Sequence, residues 1–342
     1  MSEASPKERI GRFLTGQPID RIPCVPLILN HAARVLGVKV SEYAANGPTM
    51  GAAHVAAYRR YGQDLITIFT DTSIIAEAMG TKLYFPPDDV SRFSEPAVKD
   101  PPDADRLPAV DARASGRFGV FLEAIRHCVK EVGDEVFVSC CVPAPFSTAA
   151  ALRGTSVFAR DLYKNRPLAK ALLQKATEVT CAFCEAVAEA GGIPVPVDPV
   201  ASGSVISRKA FEEFALPGLV AVHETIRSLG MPVVLHICGK TSSIVDLMAS
   251  SGAAVLSLDL ISLAEAKEKV GSKVCIMGNV APTEVMLNGT PESIRAAAAA
   301  CLRDCAQNPG GFILASGCEI PIETPPANIM ALLDSVKEYK LS

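Results

Sequence analysis

The sequence predicts a single (β/α)8 barrel with extra helices ahead of its first strand, and three observations predict it. Eight short runs rich in β-branched residues recur along the 342 residues. Longer segments with helical periodicity lie between most of them. No glycine-rich phosphate turn follows the first run, which counts against the competing architecture, a doubly wound open sheet. Buried strands that alternate with amphipathic helices form a parallel sheet, and eight of them suffice to close one.

The chain opens with MSEASPKERIGRFLTGQPIDRIP, which is polar and charged. Residues 1–20 read as a helical extension without the apolar core of a signal peptide. The eight runs follow at 22–29, 64–70, 135–142, 193–197, 231–237, 254–258, 273–277 and 311–315. Helical segments fall at 167–190, 208–229, 261–271 and 291–307. A polar stretch near residues 86–115, carrying Pro101, Pro102 and Pro108, reads as a surface insertion within one domain spanning 1–342.

Hydrophobic residues make up 49% of the chain and charged ones 20%, so a large core is easily built. A net charge of −4 and the lack of any lysine or arginine run argue against nucleic acid as a partner. Tryptophan is absent and aromatics are 6%, so no platform exists for stacking bases. No apolar stretch is long enough to span a bilayer, and a cytoplasmic location is expected, with no membrane partner. Eleven cysteines diluted over a long chain are expected to be reduced, most of them as small buried apolar residues. The sequence says little of oligomeric state, and a homodimer stays open.

In a barrel of this kind the active site lies at the C-terminal ends of the strands. His236 and Cys238 end the fifth run, in VVLHICGKT. Residues i and i+2 of a strand point the same way, so both side chains can face the mouth, and Gly239 lets the chain turn. Cys318 follows the eighth run, in FILASGCEIP. No fourth cysteine or histidine stands at a nearby strand end. Three sulfur and nitrogen ligands with one free position are the arrangement of a catalytic zinc. Two thiolates and an imidazole leave such a metal with no net positive charge. It is then a weak Lewis acid for water and a good carrier for a third thiolate. The expected chemistry is activation of a bound thiol, which would lose its proton and stay nucleophilic. The bland alternative, a core histidine and two buried thiols, leaves the meeting of two strand ends unexplained.

Other residues fall at strand ends. Asp198 ends the fourth run and is expected either to hold a polar substrate group or orient a ligand, or to form a turn or cap. Asp259 ends the sixth run and is expected to accept a hydrogen bond from His236, to fill the free metal position, or to cap the next helix. Glu319, next to Cys318, has similar reach, and Asn279 at the seventh strand end is a candidate substrate contact. Asn30 and His31 end the first run, and His31 reads as a solvated histidine at a helix start rather than a general base. Cys301 with Cys305, and Cys181 with Cys184, have helical spacing that usually means core. Cys140 and Cys141 are adjacent and should face opposite sides of a strand. His54, His127 and His223 lie in helical stretches and read as structural.

The runs LHICGKTSSIVDLMASSGAAVLSLD, CIMGNVAPTEVMLNGTPESI and FILASGCEIPIETPPANI resemble the uroporphyrinogen decarboxylase superfamily. Within it they look most like the branch of cobalamin-dependent methyltransferases that act on methylcobamide and coenzyme M. KERIGRFLTGQPIDRIPCVPLI and VDPVASGSVISRKAFEEFALP fit the same superfamily, so the resemblance spans nearly the whole chain. It implies a barrel that takes a methyl group from a corrinoid carried on a small separate protein. It also implies that His236, Cys238 and Cys318 match the zinc ligands of that branch, with coenzyme M or another small thiol as acceptor. Four alternatives stand beside this reading: tetrahydrofolate as acceptor, demethylation of a substrate, a decarboxylase, and a zinc- or corrinoid-binding carrier without catalysis. The superfamily's decarboxylases carry an arginine-rich motif after the first strand, where this chain reads LILNHAARVLG with Arg34 alone.

Overall fold

Each of the eight apolar runs becomes one strand of a parallel barrel in the computed structural model, which describes residues 3–340. The strands are β1 (Cys24–Val25), β2 (Leu65–Ile68), β5 (Phe137–Pro143), β6 (Ile193–Val197), β7 (Val234–Ile237), β8 (Val255–Leu258), β9 (Cys275–Val280) and β10 (Phe312–Ser316). Two others, β3 (Lys82–Tyr84) and β4 (Arg92–Glu95), form a separate antiparallel hairpin. The barrel order is β1-β10-β9-β8-β7-β6-β5-β2, with every pairing parallel. Helices matching those expected occupy Arg166–Glu189, Leu216–Ser228, Leu263–Val270 and Pro291–Cys305.

The runs look continuously apolar because both faces of each strand are buried. On β5, Ser139 and Cys141 face the barrel axis, while Val138, Cys140 and Val142 pack outward into the main core. On β7, Val234 and His236 face inward while Leu235 and Ile237 face the helices. The two-residue period is that of any strand, and it separates Cys140 from Cys141 as expected.

The first run yields only two strand residues, flanked by Pro23 and Pro26, which have no N–H to give a ladder. The seam between β1 and β2 is therefore closed mainly by side chains. Asp64 N donates to Cys24 O at 3.1 Å, and the Asp64 carboxylate accepts from Cys24 N at 2.7 Å. The same carboxylate takes Arg9 Nη1 at 2.6 Å and Arg21 Nη1 at 2.7 Å.

Arg9 belongs to α1 (Pro6–Leu14), the helix expected within the N-terminal extension. Ser5 and Glu8 form a capping box there, and Pro6 occupies the first turn, where its missing N–H costs nothing. The helix lies across the N-terminal end of the barrel. A Cβ at Gly311, just before β10, would stand 2.7 Å from the Phe13 ring, so only glycine leaves room for this plug. The polar excursion begins earlier than expected, with the β3–β4 hairpin, and continues through a 3-10 turn at Pro101–Arg106. Among the described residues, no helix is long and apolar enough to cross a membrane.

Candidate metal centre

β7 carries His236 on its inward face and delivers Cys238 just past its end. β10 ends at Ser316, two residues before Cys318. The ligand atoms of His236, Cys238 and Cys318 all lie within 4.8 Å of one another, and Cys318 Sγ is 3.7 Å from His236 Nε2. Tetrahedral zinc, with Zn–S near 2.3 Å and Zn–N near 2.0–2.1 Å, spaces such a pair by about 3.6 Å. The donor set and its spacing therefore fit zinc, and two sulfurs with one imidazole are a poor match for oxygen-seeking cations.

The histidine is oriented by its neighbour. In the β7–β8 register, His236 pairs with Ser257, and His236 Nδ1 meets Ser257 Oγ at 3.0 Å. With Nδ1 engaged, Nε2 is the nitrogen that faces the thiols. Of the three roles expected for Asp259, accepting from His236 is filled by Ser257 instead. Asp259 stands two residues beyond Ser257, and its Oδ2 accepts from Gly239 N at 2.8 Å. It holds the turn that follows Cys238. Gly239 has φ +75, and a Cβ there would meet the Ser202 and Ser204 hydroxyl oxygens at 2.8 Å. Asp259 Oδ1 also lies 2.7 Å from where a Cβ on Gly317 would sit. One carboxylate is thus wedged between the turns bearing Cys238 and Cys318.

The two thiols lie against each other. The hydrogen bond with Cys318 holds the Cys238 thiol below its ordinary range, against the opposing effect of burial. The same hydrogen bond, reinforced by burial, pushes Cys318 up, with His236 acting in the other direction. Binding of a metal to these thiols as thiolates would release their protons.

The three donors line the upper part of an interior cavity of about 170 Å³, together with Ser257 and Glu319. Glu319 Oε1 accepts from Asn30 N at 3.0 Å and Asn30 Nδ2 at 2.8 Å, yet burial still raises its carboxyl to about 7. Asp198, Asp259 and Asn279 are not on the cavity wall. Asn279 Nδ2 donates to Asp259 O at 2.8 Å and Ile261 O at 2.7 Å, so its amide secures a loop and is not free for a substrate.

Asp198 is fully buried and anchors a distant helix. Its Oδ1 accepts from Ser147 N at 2.7 Å and Ser147 Oγ at 2.6 Å, in the first turn of Pro145–Arg153. Its Oδ2 meets no donor among the described residues, and burial raises the carboxyl to about 6. A folded-state value above the ordinary 3.8 means that the folded chain binds the extra proton, so this contribution to stability is lost as pH rises from about 4 to 6. Asp198→Asn is accordingly expected to raise the melting midpoint at pH 8, by on the order of 2 kcal/mol of stability, and to change little at pH 4. Thermal melts at the two pH values check this; a lower midpoint at pH 8 would mean that the fold uses the charge.

His31 departs from expectation. It is buried, with Nδ1 2.7 Å from Ile322 O and Nε2 2.9 Å from Tyr61 Oη, and desolvation lowers its pKa. Chain packing, not solvent, surrounds it. His54 and His223 are also buried, with Tyr43 Oη at 2.8 Å and Ser251 O at 3.0 Å respectively. His127 packs its ring carbons against Gly51. Among the described residues, no third donor joins Cys301 and Cys305, or Cys181 and Cys184, in a metal-sized group. Arg34 pairs with Glu323 at the surface. Ser257 is the site residue that sequence reasoning missed. Its signal is slight: it is the polar residue at an inward position of AVLSLD, level with His236.

Comparison with known proteins extends the resemblance. The family described as uroporphyrinogen decarboxylase (URO-D) matches residues 5–339. A methylcobamide:CoM methyltransferase, MtbA, of Methanosarcina acetivorans is 29% identical over 350 residues, covering 99% of this chain and 100% of its own. A uroporphyrinogen decarboxylase of Xanthomonas axonopodis pv. citri is 30% identical over 324 residues, 89% of each chain. Among solved structures, a methyltransferase from Methanosarcina mazei superposes with a TM-score of 0.89 at 27% identity, covering 98% of this chain and 99% of its own.

Proposed function

The chain belongs to the uroporphyrinogen decarboxylase family and is a methyltransferase within it, and we propose that it moves a methyl group from a methylated corrinoid to a thiol, using zinc held by His236, Cys238 and Cys318. The observation that carries the proposal is this set of two sulfurs and one nitrogen at the C-terminal mouth of the barrel.

Bound zinc would supply a thiophilic cation that keeps an acceptor thiol deprotonated near neutral pH. The chain's own residues do the rest. Ser257 fixes the His236 ring, and Asp259 pins the turn that follows Cys238 while packing against Gly317 beside Cys318. The acceptor sulfur attacks the methyl carbon, and a carbon–sulfur bond forms. The carbon–cobalt bond of the corrinoid substrate breaks with its electron pair going to cobalt, and the thiol proton leaves to solvent. The corrinoid, on a separate protein, meets the barrel mouth in the cytoplasm. Two of the alternatives find less support: tetrahydrofolate reacts through nitrogen and has little use for a thiophilic metal. Carboxylate-rich decarboxylase substrates need cations, and no lysine or arginine lines the cavity.

Incubation with zinc, free methylcobalamin and either thiols or tetrahydrofolate, followed at visible wavelengths, tests the reading. Loss of the methylcobalamin spectrum with thiols, and about one zinc per chain by elemental analysis, is the expected result. Transfer to tetrahydrofolate but to no thiol, or protein that refuses zinc, would sink it.

A further inference from the structure

Closed eight-stranded barrels usually fill their interior with side chains. Here the inward residues form two separate apolar groups, one around Leu27, Leu29 and Ile313, the other around Cys141, Val195 and Val197. The cavity of about 170 Å³ is lined by both groups. It runs from His236, Cys238 and Cys318 down to Ile10 and Phe13 of α1, which closes the far end. No lysine or arginine touches it. Two of the hydroxyls on its wall are engaged by protein: Ser139 Oγ lies 2.9 Å from Thr67 Oγ1, and Ser257 is engaged by His236. An apolar cavity of 150 Å³ in another protein stays dry and binds benzene, so a space of this size and lining suits about six carbon atoms.

We propose that the acceptor thiol carries an apolar tail of about six carbons, aliphatic or aryl, which fills the barrel interior while its sulfur lies among His236, Cys238 and Cys318. The inference rests on the thiol-methylation reading above and names the class of thiol. A sulfonate tail such as that of coenzyme M meets no cation in this cavity, and it would have to point out of the mouth. The wall around the tail is almost wholly apolar, and each buried methylene favours binding. The products are the methyl thioether of the tailed thiol and the demethylated corrinoid.

Two measurements on the full chain test the inference. In the first, the zinc-loaded protein and methylcobalamin are given coenzyme M, ethanethiol, butanethiol, hexanethiol and decanethiol. The expected kcat/KM rises about fourfold per methylene up to hexanethiol and falls beyond it, with coenzyme M at least tenfold below butanethiol. The second needs no turnover: benzene, added to the metal-free and the zinc-loaded protein, is expected to raise the melting midpoint of both. Val195→Phe, which fills the cavity, should flatten the thiol series and abolish the benzene shift. If that variant fails to fold, Val234→Leu should weaken both effects. A flat series, or coenzyme M preferred, overturns the inference while leaving thiol methylation intact. No methylation of any thiol overturns the functional reading, and a benzene shift lost in Val195→Phe would then still support the apolar subsite. No benzene shift in the parent protein overturns the subsite itself.

Discussion

Cys318→Ala is expected to lose zinc and methyl transfer together. The site has three protein donors, drawn from two strands that are not neighbours in the sheet. Removing Cys318 leaves His236 and Cys238, both from the β7 end, and no second side of the cage. Loss of a single outer-sphere hydrogen bond to a metal ligand typically costs 10–100-fold in affinity or activity. Loss of one of three direct donors should exceed that, so transfer is expected to fall by more than about 100-fold. The fold should survive, since Cys318 is only partly buried and at a strand end. Cys301→Ala is the control: Cys301 is a buried thiol on the helix Pro291–Cys305, and that variant should keep one zinc and full transfer. Elemental analysis and the methylcobalamin assay read both variants. A Cys318→Ala protein with normal zinc and normal turnover would falsify the ligand assignment.

The barrel was legible because its strands are buried on both faces. Runs such as VVLHI and AVLSL stand out as β-branched and nearly unbroken, and each became one strand. The His236 and Cys238 pairing was equally legible, since an i, i+2 spacing fixes a shared face whatever the neighbours do. Register was not. Whether Ser257 or Asp259 stands beside His236 depends on how β8 slides against β7, and a shift of two residues exchanges them. Asp198 shows another limit. Its partner is Ser147, on a helix 51 residues earlier, and only the packed fold brings them together. His31 sits at a helix start, as its sequence suggests, but Tyr61 and the segment at Ile322 bury it from outside its own helix. The β3–β4 hairpin escaped notice because its strands are short and mostly exposed, without an apolar run to mark them.

Asp64→Ala is expected to be strongly destabilising. β1 and β2 are the one neighbouring pair around the barrel without a strand ladder, so the seam depends on what Asp64 gathers. Its carboxylate is fully buried and binds Cys24 N, Arg9 and Arg21 at once. Arg9 keeps a second partner in Asp20, at 2.6 Å. Among the described residues Arg21 keeps only the Ile22 carbonyl, at 3.1 Å. Removing the carboxylate therefore strands a buried guanidinium and a buried N–H. Breaking a buried ion pair from one side costs about 3–5 kcal/mol, mostly because the remaining charge has no partner. With an unfolding entropy near 2.1 cal/mol/K per residue, that corresponds to a fall of roughly 5 °C in the melting midpoint. Asp64→Asn keeps an acceptor for Cys24 N but not the charge, and should fall between the two. The centre at β7 and β10 should still take up zinc below the transition, because the seam lies outside it. Thermal melts of the three proteins, with zinc measured at 25 °C, check both halves. A melting midpoint unchanged in Asp64→Ala would mean that the Asp64 N to Cys24 O bond and the surrounding apolar packing hold the seam without the ions.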